Sequence, residues 1–187
     1  VPMIAREQYE EYKAATLSAL EKAGIALTEE EKNQVEVADF GLNRLDEIGL
    51  QVITYVNTQR CCAKELVLMP YQICPEHRHP EIDGLKGKEE TFRCRRGTVF
   101  LYVGGFADSA QKEVIAGTIP KDMEEFFTVF HEIYLHPAEQ YTLTEDTLHW
   151  FQAGEEGCIV SEFSTRSVDE ADIFTDIHIN RMPQVGE

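Results

Sequence analysis

Cys74-Pro75-Glu76-His77-Arg78-His79-Pro80, followed after a glycine-containing spacer by Glu89-Glu90-Thr91-Phe92-Arg93-Cys94-Arg95-Arg96-Gly97, is the stretch on which the reading of this chain turns. Side chains of an extended strand repeat with period two, so His77 and His79 fall on one face. Two imidazoles so placed form a chelating pair. If the chain returns to the same point, Glu90 and the distant His149 complete a set of three nitrogens and one carboxylate, with room left for a substrate.

Outward from this stretch the pattern is β. From Leu50 onward, short runs rich in Val, Ile, Tyr, Phe and Thr are broken by turn residues. They predict strands at 50–57, 62–69, 72–79, 89–94, 99–103, 127–135, 140–143, 149–153 and 158–164. Close spacing with few helices between points to an antiparallel sandwich or barrel. The polar, turn-rich stretch 106–125 reads as an excursion between the two halves. Before Leu50 the chain is helical: 5–23 places Tyr9, Tyr12, Thr16 and Leu20 on one face, Gly24 suits a left-handed cap, and Thr28-Glu29-Glu30-Glu31 is a capping box. Residues 1–45 are thus expected as a helical arm and 46–187 as one β domain. The arm packs on the outside of that domain or across a subunit boundary, or is a solvated cap.

Composition narrows the function. A length of 187 residues suits one domain with a substantial core. The net charge of -17 opposes nucleic acid or an anionic membrane as partner, since both call for a basic footprint. No apolar run approaches the roughly 20 residues of a membrane span. The 5 cysteines are odd in number and lack CxxC spacing, which suits reduced thiols in a cytoplasmic protein.

The order His-x-His, spacer, Glu90, Gly97 is similar to the first motif of the cupins, and His149 stands where a second motif supplies one more histidine. The glycine and proline usual before that histidine are absent, and Asp146-Thr147 can make the turn instead. Lys64-Glu65-Leu66-Val67-Leu68, the Cys74 to Pro80 block, Glu90-Thr91-Phe92-Arg93-Cys94, His149-Trp150-Phe151-Gln152-Ala153-Gly154-Glu155-Glu156-Gly157 and Asp172-Ile173-Phe174-Thr175-Asp176 together resemble the cupin-type D-lyxose isomerases. The resemblance spans about Leu27 to Asp176. It implies an all-β cupin, an antiparallel β-barrel or jelly roll, with an N-terminal helical arm. It further implies a homodimer that interconverts D-lyxose and D-xylulose, with D-mannose and D-fructose as further substrates. His77, His79, Glu90 and His149 would hold a divalent metal, in this family usually Mn2+, with Co2+, Fe2+, Ni2+ or Zn2+ as other occupants. Composition and spacing alone stop at a metal-binding β-barrel.

Aldose–ketose isomerisation moves a proton between C1 and C2, through a metal-bound enediolate on this reading, so a base must stand beside the metal. Glu162 on a late strand is the first candidate. Glu76 serves only if a bulge turns it inward, and Lys64 is a candidate proton donor to the sugar oxygens. The ordinary place of lysine and glutamate is solvated surface, so burial decides. Asp172 and Asp176 are candidates for the sugar hydroxyls, Phe174 for the apolar face of the ring and Phe92 for the pocket wall. His131, His136 and His178 read as surface histidines. The basic residues Arg78, Lys86, Lys88, Arg93, Arg95 and Arg96 keep a phosphorylated-sugar isomerase open, although Arg93 is expected on the outer face in salt bridges. An iron dioxygenase and a non-catalytic sugar-binding cupin are the other readings.

Overall fold

The computed structural model describes residues 3–105 and 108–187; Phe106 and Ala107, within the expected excursion, lie outside the described residues. In chain order the elements are β1 (Met3–Ile4), α1 (Arg6–Lys22), α2 (Glu29–Asn33), β2 (Glu36–Ala38), β3 (Leu50–Asn57), β4 (Cys62–Leu68), β5 (Ile73–Arg78) and β6 (Glu90–Val103). Then follow α3 (Asp108–Gln111), a 3-10 turn (Lys121–Phe126), β7 (His131–Leu135), β8 (Gln140–Leu143), β9 (His149–Ser164), a second 3-10 turn (Asp169–Ala171), β10 (Ile173–Phe174) and β11 (Gln184–Val185).

The helical arm forms where the sequence signals place it. Gly24 ends α1 with φ 72°, and at α2 Thr28 Oγ1 accepts from Glu31 N at 3.1 Å while the Glu31 carboxylate accepts from Thr28 N at 2.8 Å. Thr16 and Leu20 of α1 are buried, and Leu20 packs with Ile4, Val35, Val37, Ile53, Val67 and Ile159 in a core on the outer face of the sheet. β2 pairs with β3, so the main sheet already begins ahead of residue 45.

The β domain is built on one long ribbon. Where the sequence suggests pairs of short strands, β6 and β9 each run without a break and pair antiparallel from Glu90↔Ser164 to Val103↔His149. Arg95-Arg96-Gly97-Thr98 does not reverse the chain; it bends it, with register shifts between Cys94 and Arg96 and between Gly97 and Val99. Straight, β6 would hold Glu90 and Val103 about 40 Å apart. The bend folds the ribbon back so that its two ends meet. β4 and β5 pair with successive parts of β9, while β7 and β8 pair with the two parts of β6, which gives the curled antiparallel sheet expected of the cupin class. The expected strand from Phe127 begins only at His131, because the amides of Thr128 and Val129 are drawn off to the Glu76 carboxylate. Inside the curl lie Phe92, Cys94, Leu101, Phe151 and Val160; on the other face of the ribbon Trp150 stacks on Tyr102 at 3.9 Å between centroids.

Gly97 and Gly157 make the bend possible. Both have positive φ (70° and 72°), and a Cβ on Gly97 would lie 2.0 Å from the Gly157 carbonyl oxygen. Gly97→Ala should therefore cost about 3 kcal/mol or more, read as a fall in the midpoint of urea unfolding. A variant as stable as the parent would show that the bend does not depend on this close approach.

Among the described residues no helix is long and apolar enough to cross a membrane. All five cysteines are free, Cys61 exposed and the other four buried.

Candidate active site

The ribbon's closure brings the separated motifs to one point. His77 lies on β5 in register with His149, the first residue of β9, and His79 follows two residues after His77. Glu90 opens β6. The ligand nitrogens of His77, His79 and His149 lie within 4.8 Å of one another, all three residues buried.

Each imidazole is oriented by an acceptor behind it. His77 Nδ1 lies 2.7 Å from Pro75 O, His149 Nδ1 2.8 Å from Thr147 O, and His79 Nδ1 2.5 Å from Asp172 Oδ1. A carbonyl can only accept, so in His77 and His149 the proton sits on Nδ1 and the Nε2 lone pair is left facing the cluster. The same backing carboxylate or carbonyl is what orients histidines that bind metal. Glu90 Oε1 is 3.1 Å from both His79 Nε2 and His149 Nε2. The second contact is not a hydrogen bond, and His149 Nε2 is buried with no hydrogen-bond partner. A lone pair facing a carboxylate oxygen in the interior is unfavourable unless a cation joins them. The donor set thus fits a divalent metal. Burial, together with His149 and His79, pushes the His77 pKa well below its ordinary value and keeps it in the ligating form. For His79, burial is outweighed by Glu90 and Asp172, which push it up to about 9, and a bound cation would compete with that proton.

Beside the four donors stands an acid–base pair. Glu162, on β9 and 3 % exposed, accepts from Lys88 Nζ at 2.8 Å, and Lys88 Nζ also lies 2.8 Å from Glu90 Oε2. Burial raises the Glu162 pKa and Glu90 adds to the rise against the pull of Lys88, leaving it at about 7. A carboxyl so placed can take and return a proton near neutrality. Lys88 stays an ammonium because the facing carboxylates outweigh its burial.

The remaining expectations divide. A cavity opens against His77, His79, Glu90 and Glu162; Lys64, in register with Glu162, lines it, but its Nζ donates to Ser167 Oγ at 3.0 Å and to Asp169 at 3.0 Å. Phe174 stacks on His77 with centroids 5.2 Å apart, and Phe92 forms wall beside His149 at 6.1 Å. Asp172 lines the cavity while holding His79. Glu76 is not brought to the cluster. Despite a register shift between Cys74 and His77, its carboxylate points away and accepts from Thr128, Val129 and Thr175. Asp176 does not line the cavity either, being buried against the amide and ring of His178. Arg93 donates to Gln140 rather than to a carboxylate. His131, His136 and His178 are all exposed.

The sequence reading missed Lys88 as a neighbour of Glu162, and missed Asp169 and Arg181 altogether. Lys88 had a signal: it stands two residues before Glu90 and so shares its face. Asp169 and Arg181 lie in a tail without periodicity. Arg181 reaches Asp169 at 3.1 Å and pairs with Glu36, which carries its guanidinium into the cavity wall. A larger cavity of about 520 Å³, lined by Pro80, Ile82 and Leu85, shares His79, Lys88 and Asp172 with the first.

Solved structures with this fold include the L-ribose isomerase of Cellulomonas parahominis with L-ribose (TM-score 0.78, 16% identity, 98% of each chain covered). That of Acinetobacter sp. DL28 is alike (TM-score 0.78, 15% identity, 99% of each chain). At such identity the likeness speaks for the fold alone. Sequence relatives are far nearer. The D-lyxose/D-mannose isomerase of Thermosediminibacter oceani is 56% identical over 99% of this chain and 100% of its own, and the D-lyxose ketol-isomerase of a Thermofilum species 53% identical over 98% and 99%. The family model for D-lyxose isomerase matches residues 7–187. A match of that extent, on a chain whose motif residues converge in one buried cluster, places this protein in the D-lyxose isomerase family.

Proposed function

We propose that the chain is a metal-dependent ketol-isomerase that interconverts D-lyxose and D-xylulose and also takes D-mannose to D-fructose. The observation that carries this is the convergence of His77, His79, His149 and Glu90, each histidine backed at Nδ1, directly beside Glu162 and Lys88. A divalent cation in that donor set, Mn2+ in our reading, supplies Lewis-acid polarisation of a hydroxy-carbonyl pair. Glu162 takes the proton from C2 of the open aldose and returns it to C1, while the hydroxyl proton of O2 passes to O1 to complete the ketose; Lys88, held between two carboxylates, orients Glu162. Phe174 and Phe92 exclude water from the reacting carbons, while Arg181, in the cavity wall, offers donors to the sugar hydroxyls. The homodimer implied by family belongs to the same reading, and light scattering on the eluting protein checks it.

The test is incubation of Mn-loaded protein with D-lyxose in deuterated water. D-Xylulose should appear, with deuterium entering the substrate carbon during turnover. Absence of any ketose with Mn2+, Co2+, Ni2+ or Fe2+, in protein that binds the metal, would overturn the isomerase reading. A ketose formed with no solvent deuterium would instead point to hydride shift.

A further inference from the structure

Glu76 is buried to 1 % exposure next in sequence to His77 of the histidine cluster yet takes no part in it. Its Oε1 accepts from Thr128 Oγ1 at 2.8 Å and Thr175 Oγ1 at 2.6 Å, and its Oε2 from Thr128 N at 2.7 Å and Val129 N at 3.1 Å. Four donors fill the carboxylate, and they come from two segments far apart in the chain. The backbone of the same residue is engaged as well, since Thr175 N donates to Glu76 O at 3.1 Å.

The Thr175 contact matters because of what its segment carries. β10 pairs with β5 through only two residues, Ile173↔Arg78 and Phe174↔His77. So short a pairing is weak by itself. Yet this segment presents Asp172 to His79 Nδ1 and lays Phe174 on the His77 ring. Side-chain hydrogen bonds from a buried anchor on β5 offset the weakness of the strand.

We infer that Glu76 is a positioning residue: through Thr175 it fastens the segment 172–176 across the cavity mouth, and so sets Asp172 behind His79 and Phe174 against the substrate. This rests on the proposed isomerase reading for its kinetic consequence, though not for its structural one. Geometry also fixes which substitution is tolerated. In Glu76→Gln the amide oxygen can accept from Thr128 N and Val129 N, while the amide nitrogen donates to the two threonine hydroxyls, which accept as readily as they donate. In Glu76→Ala every side-chain contact is lost and only the main-chain bond from Thr175 N remains. Thr175→Val removes only the link to the segment.

The experiment measures D-lyxose kinetics and amide hydrogen exchange on the Mn-loaded full chain for Thr175→Val, Glu76→Gln and Glu76→Ala. Thr175→Val should keep the parent's unfolding midpoint within about 3 °C and lose about ten-fold in kcat/KM, chiefly through KM. Exchange at residues 173–175 should speed up about ten-fold or more, with β6 and β9 unchanged. Glu76→Gln should stay within about three-fold of the parent on both readouts, and Glu76→Ala, if it folds, should lose more than Thr175→Val. Parent-like exchange at 173–175 in Thr175→Val would overturn the inference, as would a Glu76→Gln no better than Glu76→Ala. Should the parent itself fail to turn over D-lyxose, the isomerase reading falls while the exchange measurement still decides the role of Glu76.

Discussion

Glu162→Gln should leave the metal bound and lower kcat about a thousand-fold on D-lyxose. Glutamine matches glutamate in shape, and its amide oxygen can still accept from Lys88 where Glu162 now accepts at 2.8 Å. What it cannot do is take a proton. General-base catalysis is worth about 100- to 10,000-fold, and a carboxyl within the cluster has no evident substitute: Glu90 faces His79 and His149, and Glu76 points away. The loss should fall on kcat more than on KM, since the sugar hydroxyls keep their partners. Metal content after gel filtration and single-turnover kinetics check the two halves of the statement. A variant with more than about a tenth of the parental kcat would remove Glu162 from its role as the base.

The two halves of the site were not equally legible in the sequence. Period-two alternation puts His77 and His79 on one face without any tertiary information, and Thr28 with Glu31 fixes the start of α2 by local chemistry alone. Glu90 with His149 is a different case. In the pairing of β6 with β9 these residues stand at opposite ends of the ribbon, and they meet only because the ribbon bends at Gly97 and Gly157. Local pattern suggests a turn there, and only the full pairing register distinguishes a turn from a bend. Family resemblance filled that gap, because a family's motif records where distant residues meet.

The acid–base candidates show the limit in the other direction. Strand parity turns Glu76 away from the histidine cluster, and the bulge that would have reversed it occurs in β5 without doing so. Parity leaves Lys64 and Glu162 as separate candidates, and only the pairing of β4 with β9 sets them opposite one another. It says nothing of Ser167 and Asp169, which occupy the Lys64 ammonium, or of Arg181, which arrives from a tail with no periodicity. Such contacts depend on where a coil segment crosses the barrel mouth, and no local rule encodes that path.

His149→Ala should abolish turnover and with it the stabilisation that metal confers. In the parent, any cation that binds the folded chain and not the unfolded one adds RT ln(1 + [L]/Kd), about 2.7 kcal/mol at a hundred times Kd. For a domain of this size that is a rise of roughly 5–10 °C in unfolding midpoint on adding Mn2+. His149 is the donor whose loss should weigh most, since it is fully buried and its Nε2 lies unpartnered 3.1 Å from Glu90 Oε1. The alanine variant leaves Glu90 beside His79 and Lys88 alone and removes one nitrogen from the set, so its affinity should fall about a hundred-fold or more, beyond what loss of a backing partner such as Asp172 costs. At a fixed Mn2+ concentration the midpoint should then move by less than about 2 °C. Calorimetry with and without Mn2+ makes the comparison without reference to activity. Equal metal-induced shifts in parent and variant would mean that the cation, if it binds, does so without His149, and the four-donor site would have to be given up.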